Sequence, residues 1–229
     1  MNTVIVKMAR IKKALMGNDH LITANTKVEK VKYGNKNAQW TIAPEHINSN
    51  STILSFGIGT DISWDLTLID KFNVTIHAFD PTPTSKKWLS QQDLPQNFVH
   101  HDYGISDKDG KLILNSPKNK NHTSFNLFEK NKGDEQIEVD VKCLETICDE
   151  LKLNSIDILK IDVEGSEYKI IDALVSSNIE VKQFLVEFHH RFFEDGVNKT
   201  KSAVKNLKEK GYKIFSVSPN GEEFSFIKI

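Results

Sequence analysis

From about residue 51 onward, short apolar runs alternate with segments in which apolar residues recur every three or four positions. This alternation of strand and helix patterns predicts an α/β domain with a mainly parallel sheet and helices on both faces. A Pro219-Asn220-Gly221 turn joins the last two runs, which predicts one antiparallel strand near the end. The predicted strands are 52–56, 74–79, 98–100, 156–161, 183–188, 212–217 and 223–229.

An amphipathic helix is predicted near the N-terminus, because four apolar residues recur at helical spacing with cations between them. They are Val4, Met8, Ile11 and Leu15. Residues 28–42 alternate loosely around a glycine, which predicts a short hairpin. We therefore expect a helical and hairpin extension at 1–48 that packs on a domain at 49–229. The alternative for the helix is contact with a membrane surface or an anionic acceptor.

A polar stretch at 115–134 interrupts the strand–helix rhythm, between strand-like pieces at 111–114 and 136–141. Its length and polarity predict a mobile loop. Either the loop closes over a substrate or it is a solvated insertion. Its lysines are Lys118, Lys120, Lys130 and Lys132.

The composition is that of a globular protein, with 38% apolar residues and 30 basic against 31 acidic side chains. The basic excess is confined to residues 1–36, where aromatic residues are sparse, so no nucleic-acid partner is expected. Cys143 and Cys148 have neither CxxC spacing nor the number needed for structural zinc. No transmembrane segment and no signal-peptide core is found, so a cytoplasmic location is expected.

Two acids follow a buried strand directly. Asp162 and Glu164 come after the apolar run at 156–161, and a glycine turn and an amphipathic helix follow them. Ligands of open α/β sheets bind beyond the carboxyl ends of the strands. The sequence therefore places both carboxylates at the mouth of a predicted site.

A glycine turn, Gly57-Ile58-Gly59, lies between the first strand and its helix, where backbone N–H groups are exposed to a ligand. A dinucleotide fingerprint requires glycine where this chain has Ile62, which argues against NAD or FAD. Asp61 favours a cofactor with an amino group or another cation. Together these features predict that Gly57, Gly59 and Asp61 bind a cofactor.

Other polar residues also follow strands. Asp80 ends the second strand, where an acid typically binds ribose hydroxyls, although an Asp before proline also forms turns. Asp102 and Tyr103 end the third strand and are candidates for contact with a cofactor base. Glu187 and His189 end the fifth strand, on one face by strand alternation. A histidine there is either structural or catalytic.

Residues 159–167 read LKIDVEGSE, which resembles the KIDVEG-x-E signature of the FkbM-type family of S-adenosylmethionine-dependent methyltransferases. The resemblance extends to residues 55–59, 78–81 and 186–189. It implies a class I methyltransferase (Rossmann-like) fold with a seven-stranded sheet and S-adenosylmethionine as cofactor. Relatives often carry an acid where this chain has Ser55, so the anchor of the methionine amino group passes to Asp61 in this interpretation.

The resemblance also implies methylation of a sugar or secondary-metabolite hydroxyl, that is, a small-molecule or carbohydrate acceptor. Such a transfer needs alignment and a base, for which Asp162, Glu164 and His189 are the catalytic candidates. Asp162 or His189 is the expected base, and Glu164 the residue that positions the acceptor or supports the turn.

Several alternatives remain open from the sequence. Mg²⁺ held by Asp162, Glu164, Glu187 and His189 is a rival use of the same groups. An NAD-dependent oxidoreductase or epimerase and a catalytically silent methyltransferase-like binding module are the other functions considered. A homodimer is also left open.

Overall fold

The computed structural model describes residues 3–36, 38–117, 125–127 and 132–229. In chain order the helices are α1 (Thr3–Leu15), α2 (Ser63–Phe72), α3 (Pro83–Leu89), α4 (Leu144–Leu151), α5 (Glu167–Ser176) and α6 (Gly196–Glu209). The strands are β1 (Val31–Tyr33), β2 (Trp40–Ile42), β3 (Thr52–Phe56), β4 (Thr75–Phe79), β5 (Phe98–His101), β6 (Gly104–Ile105), β7 (Gly110–Pro117), β8 (Lys132–Lys142), β9 (Ser155–Ile161), β10 (Glu180–Glu187), β11 (Tyr212–Val217) and β12 (Glu223–Lys228).

Seven of the described strands form the central sheet in the order β11-β12-β10-β9-β3-β4-β5. All neighbours are parallel except β12, which is antiparallel to both β10 and β11. The predicted α/β class, with a mainly parallel seven-stranded sheet and one antiparallel strand, is confirmed. The strand order reverses between β3 and β9, and ligands of such sheets bind at this switch point.

Apolar side chains on both faces of the sheet pack against helices, as the buried strands predict. On β9, Leu159 and Ile161 pack in one layer with α4, α5 and α6. Ile158 packs in the other layer with Trp64 and Leu68 of α2. Both layers are closed to water, so the open region of the sheet is the rim at the strand ends.

The insertion between β5 and α4 is more regular than predicted. β7 and β8 form a long antiparallel pair, and β6 joins β8 to make a second sheet of three strands among the described residues. The predicted loop at 115–134 is therefore wrong where strand residues replace it. Lys118, Lys120 and Lys130, and the side chain of Lys132, lie outside the described residues.

The hairpin predicted at 28–42 is confirmed as the antiparallel pair β1–β2. It is tied to the central sheet by Gln183, whose side chain bonds the backbone N–H and C=O of Ala43. α1 also forms, but the apolar residues expected to pack inward are exposed. The division into an extension at 1–48 and a domain at 49–229 stays a prediction. Among the described residues, no helix combines the length and apolar content needed to cross a bilayer.

Gly57 marks the point where the ends of β3 and β9 come closest. Its φ is +73°, and a Cβ atom at this position would lie 1.6 Å from the backbone oxygen of Asp162. Gly59 also has a positive φ of +52°, but a Cβ atom there would meet nothing within 4 Å. A side chain at Gly59 would therefore meet backbone strain alone, whereas a side chain at Gly57 would meet both backbone strain and steric overlap.

We predict that Gly57→Ala lowers the free energy of unfolding more than Gly59→Ala. At Gly59 only the left-handed backbone is penalised, at about 1–2 kcal/mol. At Gly57 the overlap with Asp162 adds to that cost and forces β3 and β9 apart. Urea denaturation of both variants measures the difference, and equal losses would contradict the close approach of the two strands.

Candidate active site

A cavity of about 770 Å³ opens at the carboxyl ends of β3, β4 and β9. The turn at 57–61 and the strand ends form its floor, and the sheet β6–β8 covers it from one side. The covering wall is apolar, whereas the rim below it is rich in carboxylates. The apolar residues of the covering wall include Ile105, Leu112, Leu114, Phe125, Val139 and Val141.

The glycine turn is held from two strands at once. The N–H of Gly57 donates to the carbonyl of Phe79 at 3.0 Å, and the N–H of Asp162 donates to the carbonyl of Phe56 at 3.1 Å. From below, the Lys160 ammonium donates to the carbonyls of Phe56 and Gly57 at 3.2 and 3.0 Å. The turn is therefore fixed before any ligand binds.

Asp80 lies in the cavity lining, where the sequence predicted it. Its Oδ2 accepts the N–H of Gly59 at 2.9 Å, and its Oδ1 accepts the N–H and hydroxyl of Thr82 at 2.9 and 2.6 Å. Asp80 thus forms the turn before Pro81 that the sequence offered as the alternative to ribose binding, and it also links the ends of β3 and β4. A carboxylate has about four acceptor positions, so one on Oδ2 is left for a ligand hydroxyl.

Asp162 and Glu164 also line the cavity, and the turn that carries them is constrained. Glu164 has a φ of +48°, which is uncommon for a residue with a side chain. Its carbonyl accepts the N–H of Leu127, and the next N–H, of Gly165, donates to the Glu167 carboxylate at 3.0 Å. Strain of this kind is commonly stored at functional sites.

His189 lies behind this turn, surrounded by carboxylates. Its Nε2 is 3.3 Å from Glu164 Oε2 and 3.9 Å from Asp162 Oδ1. Its Nδ1 is 3.6 Å from Oε1 of the fully buried Glu167, and that oxygen also accepts the His189 backbone N–H at 2.8 Å. The structure therefore brings together the three residues predicted to be catalytic.

The protonation of His189 follows from these neighbours. Burial alone lowers the pKa of His189. The carboxylate of Glu167 beside the ring, reinforced by Glu164 and Asp162, outweighs burial and raises the pKa of His189 to about 10. His189 is thus an imidazolium cation at neutral pH. For Glu187, burial and then the nearby Asp162 raise the pKa well above its ordinary value.

Two predicted cofactor residues lie elsewhere. Asp102 forms an ion pair with Lys86 at the surface, and the Tyr103 hydroxyl donates to Glu150 at 3.4 Å. Neither belongs to the described lining of the cavity. Their role in cofactor binding stays a prediction that this placement does not favour. Gly57, Gly59 and Asp61 do line the cavity, and the Oδ1 of Asp61 accepts the N–H of Ser63, the first residue of α2, at 2.9 Å.

Trp40, Asp65 and Lys160 are among the lining residues that sequence reasoning did not assign to the site. Lys160 carried a signal, because a lysine inside a buried apolar run must find internal partners. Asp65 carried a weaker one, since it falls beside the apolar stripe of its helix. Trp40 gave no signal that distinguishes it from a core residue.

A second group of metal-type side chains, Asp19, His20 and His190, is fully buried beneath α1. The His20 Nδ1 is 3.0 Å from the Arg10 guanidinium, which can only donate, so this nitrogen is an acceptor. The His20 Nε2 is 3.0 Å from the carbonyl of Gly221 and therefore donates. With both ring nitrogens engaged, His20 has no lone pair for a metal, and the group is structural.

Residues 17–214 match the family described as the methyltransferase FkbM domain. No curated protein is detectably similar in sequence. Two solved structures are similar at 11% identity: the fibrillarin pre-rRNA processing protein of Methanococcus jannaschii and TYW2 of M. jannaschii in complex with AdoMet. The first covers 90% of this chain and 87% of its own length with a TM-score of 0.42. The second covers 90% and 89% with a TM-score of 0.30. At this level neither structure bears on the activity of this chain.

We predict that His189 stabilises the fold in a pH-dependent way. Because its folded pKa of about 10 exceeds the ordinary value of 6.5, the contribution is complete below pH 6.5 and declines as the pH rises toward 10. His189→Gln should therefore lower the free energy of unfolding at pH 6.5, and the deficit should shrink toward pH 10. Urea denaturation over this range measures it.

The matched control is His46→Gln, which removes a surface histidine beside Glu45. It should change the free energy of unfolding little at any pH. A deficit for His189→Gln that is constant between pH 6.5 and 10 would contradict a buried imidazolium.

Proposed function

The chain belongs to the FkbM family of S-adenosylmethionine-dependent methyltransferases, and we propose that it methylates a hydroxyl of a carbohydrate or secondary metabolite. The observation that carries the proposal is the composition of the cavity lining, in which acidic side chains far outnumber basic ones, although burial raises the pKa of two of the acids, Asp65 and Glu187. The described lining has one basic side chain, Lys160, against seven acidic ones. The acids are Asp61, Asp65, Asp80, Asp162, Glu164, Glu187 and Glu223. Such a lining suits a donor that carries a sulfonium and an ammonium.

In this proposal Asp80 binds the ribose hydroxyls of the donor, through the acceptor position left on Oδ2. The turn from Gly57 to Gly59 passes beneath the donor, where the absence of side chains allows close approach. The adenine of the donor packs on the apolar wall formed by β6, β7 and β8, where a Cβ atom at Gly104 would lie 3.4 Å from Pro81. In this proposal the wall replaces Asp102 and Tyr103, the contacts to the base that the sequence predicted.

Asp162 is the proposed base. In the reaction the acceptor oxygen attacks the methyl carbon, the S–CH₃ bond breaks, and the hydroxyl proton passes to the Asp162 carboxylate. His189 was the alternative base from the sequence, but as an imidazolium it has no free electron pair for this step. Its charge instead holds the carboxylates of Asp162 and Glu164 in place.

The proposal assigns these groups to proton transfer rather than to Mg²⁺. One oxygen of Asp162, one of Glu164 and a ring nitrogen of His189 lie within 4.8 Å of one another, so a cation could use them. However, a histidine must be deprotonated to bind a metal, and the pKa of His189 is raised to about 10, so a divalent ion would have to displace its proton. Family membership favours methyl transfer over NAD-dependent chemistry, and turnover distinguishes an enzyme from a silent module.

We predict that Asp162→Asn lowers turnover by about 10²–10⁴-fold while the donor product S-adenosylhomocysteine still binds. The variant keeps the shape of the side chain and removes the base. Release of S-adenosylhomocysteine with a panel of sugars and hydroxylated metabolites measures turnover, and calorimetry measures binding. The control is Asp172→Asn, which changes an exposed acid on the next helix.

Unchanged turnover in Asp162→Asn would remove the assigned base. Turnover that is lost on EDTA treatment and restored by Mg²⁺ would favour the metal instead. A wild-type protein that binds neither S-adenosylmethionine nor its product would overturn the proposed function.

A further inference from the structure

Asp65 is a buried acid whose position calls for a ligand. It lies in the first turn of α2, lines the cavity, and is only 2% exposed. Its Oδ1 is shielded from solvent and has no hydrogen-bond partner in the described chain. Burial raises the pKa of Asp65, which the charge of Lys160 and a neighbouring Ser55 only partly offset. A carboxyl group in this state gains stability when a cation reaches it.

Lys160 supplies the opposite charge at the same end of the cavity. It is 4% exposed, and it is the register partner of Ser55 on adjacent parallel strands. Its ammonium donates to two loop carbonyls and lies 5.2 Å from the centre of the Trp40 ring. One of its three N–H groups therefore remains available to a ligand. A buried cation and a buried carboxyl group thus line one end of the cavity.

We propose that Asp65 and Lys160 bind the amino-acid end of the methyl donor, with the ammonium on Asp65 and the carboxylate facing Lys160. This inference rests on the proposed function and deepens it. It replaces Asp61, which the sequence named as the anchor of the amino group. Asp61 already accepts the N–H of Ser63, whereas Oδ1 of Asp65 has no hydrogen-bond partner among the described residues.

The position of Ser55 supports this assignment. A serine is short and uncharged, so the floor of the cavity at this register position carries no acid of its own. The helix above supplies one instead, because Ser55, Lys160 and Asp65 all occupy the face of the sheet covered by α2. The acid at this end of the cavity is therefore provided by α2.

The test compares two ligands that differ in the amino-acid end. S-adenosylhomocysteine carries it, and 5′-methylthioadenosine lacks it. We expect Asp65→Asn to weaken S-adenosylhomocysteine binding by about 10- to 100-fold, the range for hydrogen bonds to charged groups, and to leave 5′-methylthioadenosine binding unchanged. Calorimetry measures both affinities. The control is Asp70→Asn, which changes an exposed acid on the same helix and should affect neither ligand.

Equal losses for the two ligands would mean that Asp65 is structural, and no loss would mean that another group holds the ammonium. Either result overturns the assignment. If the wild-type protein binds neither ligand, the proposed function fails, and this inference fails with it.

A separate observation concerns α1, whose apolar stripe faces outward. Met8 is 65% exposed and Leu15 81%, with Ile11 between them. The half-buried residues of the helix are Val6, Arg10 and Ala14, spaced four apart on the opposite face.

Arg10 fixes this orientation. Its guanidinium donates to the carbonyls of His20 and Ile22 at 3.1 and 3.0 Å and packs over Gly221. Turning the apolar stripe inward would break these contacts. The stripe is therefore presented to the outside by the fold itself.

The charges on α1 point to the occupant. The helix contains no acid, and Lys7 and Lys12 flank the stripe on its two sides. Lysines beside an apolar face suit the interface of an anionic membrane, where the lysine side chains reach the lipid headgroups while the apolar face enters the acyl region. We infer that α1 docks on an anionic lipid surface.

Sedimentation with vesicles tests this second inference. The protein should bind vesicles of phosphatidylcholine and phosphatidylglycerol and not vesicles of phosphatidylcholine alone, and added salt should weaken the binding. Met8→Glu and Ile11→Glu should abolish it. The control Ile113→Glu, at an equally exposed apolar residue of β7, should not. Binding that survives both α1 variants, or a dimer that they dissociate without any vesicle binding, would overturn it.

Discussion

The close approach of β3 and β9 is the constraint on which the site depends. The backbone of Gly57 lies against the backbone oxygen of Asp162, so neither strand can carry a side chain between them. The contact draws the N–H of Asp162 onto the carbonyl of Phe56, and it leaves the next carbonyl to Lys160. One steric requirement thus sets the glycine turn, the direction of the first acid after β9, and a buried cation beneath both.

The carboxylates around His189 are of two kinds: Glu167 bonds the backbone, whereas Asp162 and Glu164 line the cavity. Glu167 is committed to structure, since it holds the Gly165 turn and the backbone of His189 at once. The imidazolium of His189 compensates Glu167 from one side and reaches Glu164 and Asp162 from the other. One cation therefore faces two carboxylates of the cavity lining and offsets the repulsion between them. The proposed function, in which the site receives a cationic donor and then takes up a proton, requires this balance.

The sequence predicted the features that are local. Apolar runs and their flanking turns located the seven core strands, and the acids that end those strands, Asp80 and Asp162, line the cavity as expected. The strands β7 and β8 were predicted too short, because their residues near the polar stretch lack an apolar pattern. Asp102 follows a strand as well, but β5 is the edge of the sheet, far from the switch point. The protonation of His189 and the inward direction of Asp65 depend on neighbours distant in sequence, and no spacing rule reports them.

Asp19, in the segment that follows α1, bonds a residue that is close in sequence to the acidic rim. This contact indicates that the segment is part of the framework of the site. The Arg191 guanidinium donates to Asp19 at 2.7 Å and pairs with Glu222. Arg191 lies two residues after His189, and Glu222 lies one residue before Glu223, which lines the cavity. Asp19 is therefore linked through two short backbone segments to both sides of the acidic rim. Arg10 joins α1 to this same cluster, since its Nε lies 3.7 Å from Asp19 Oδ1.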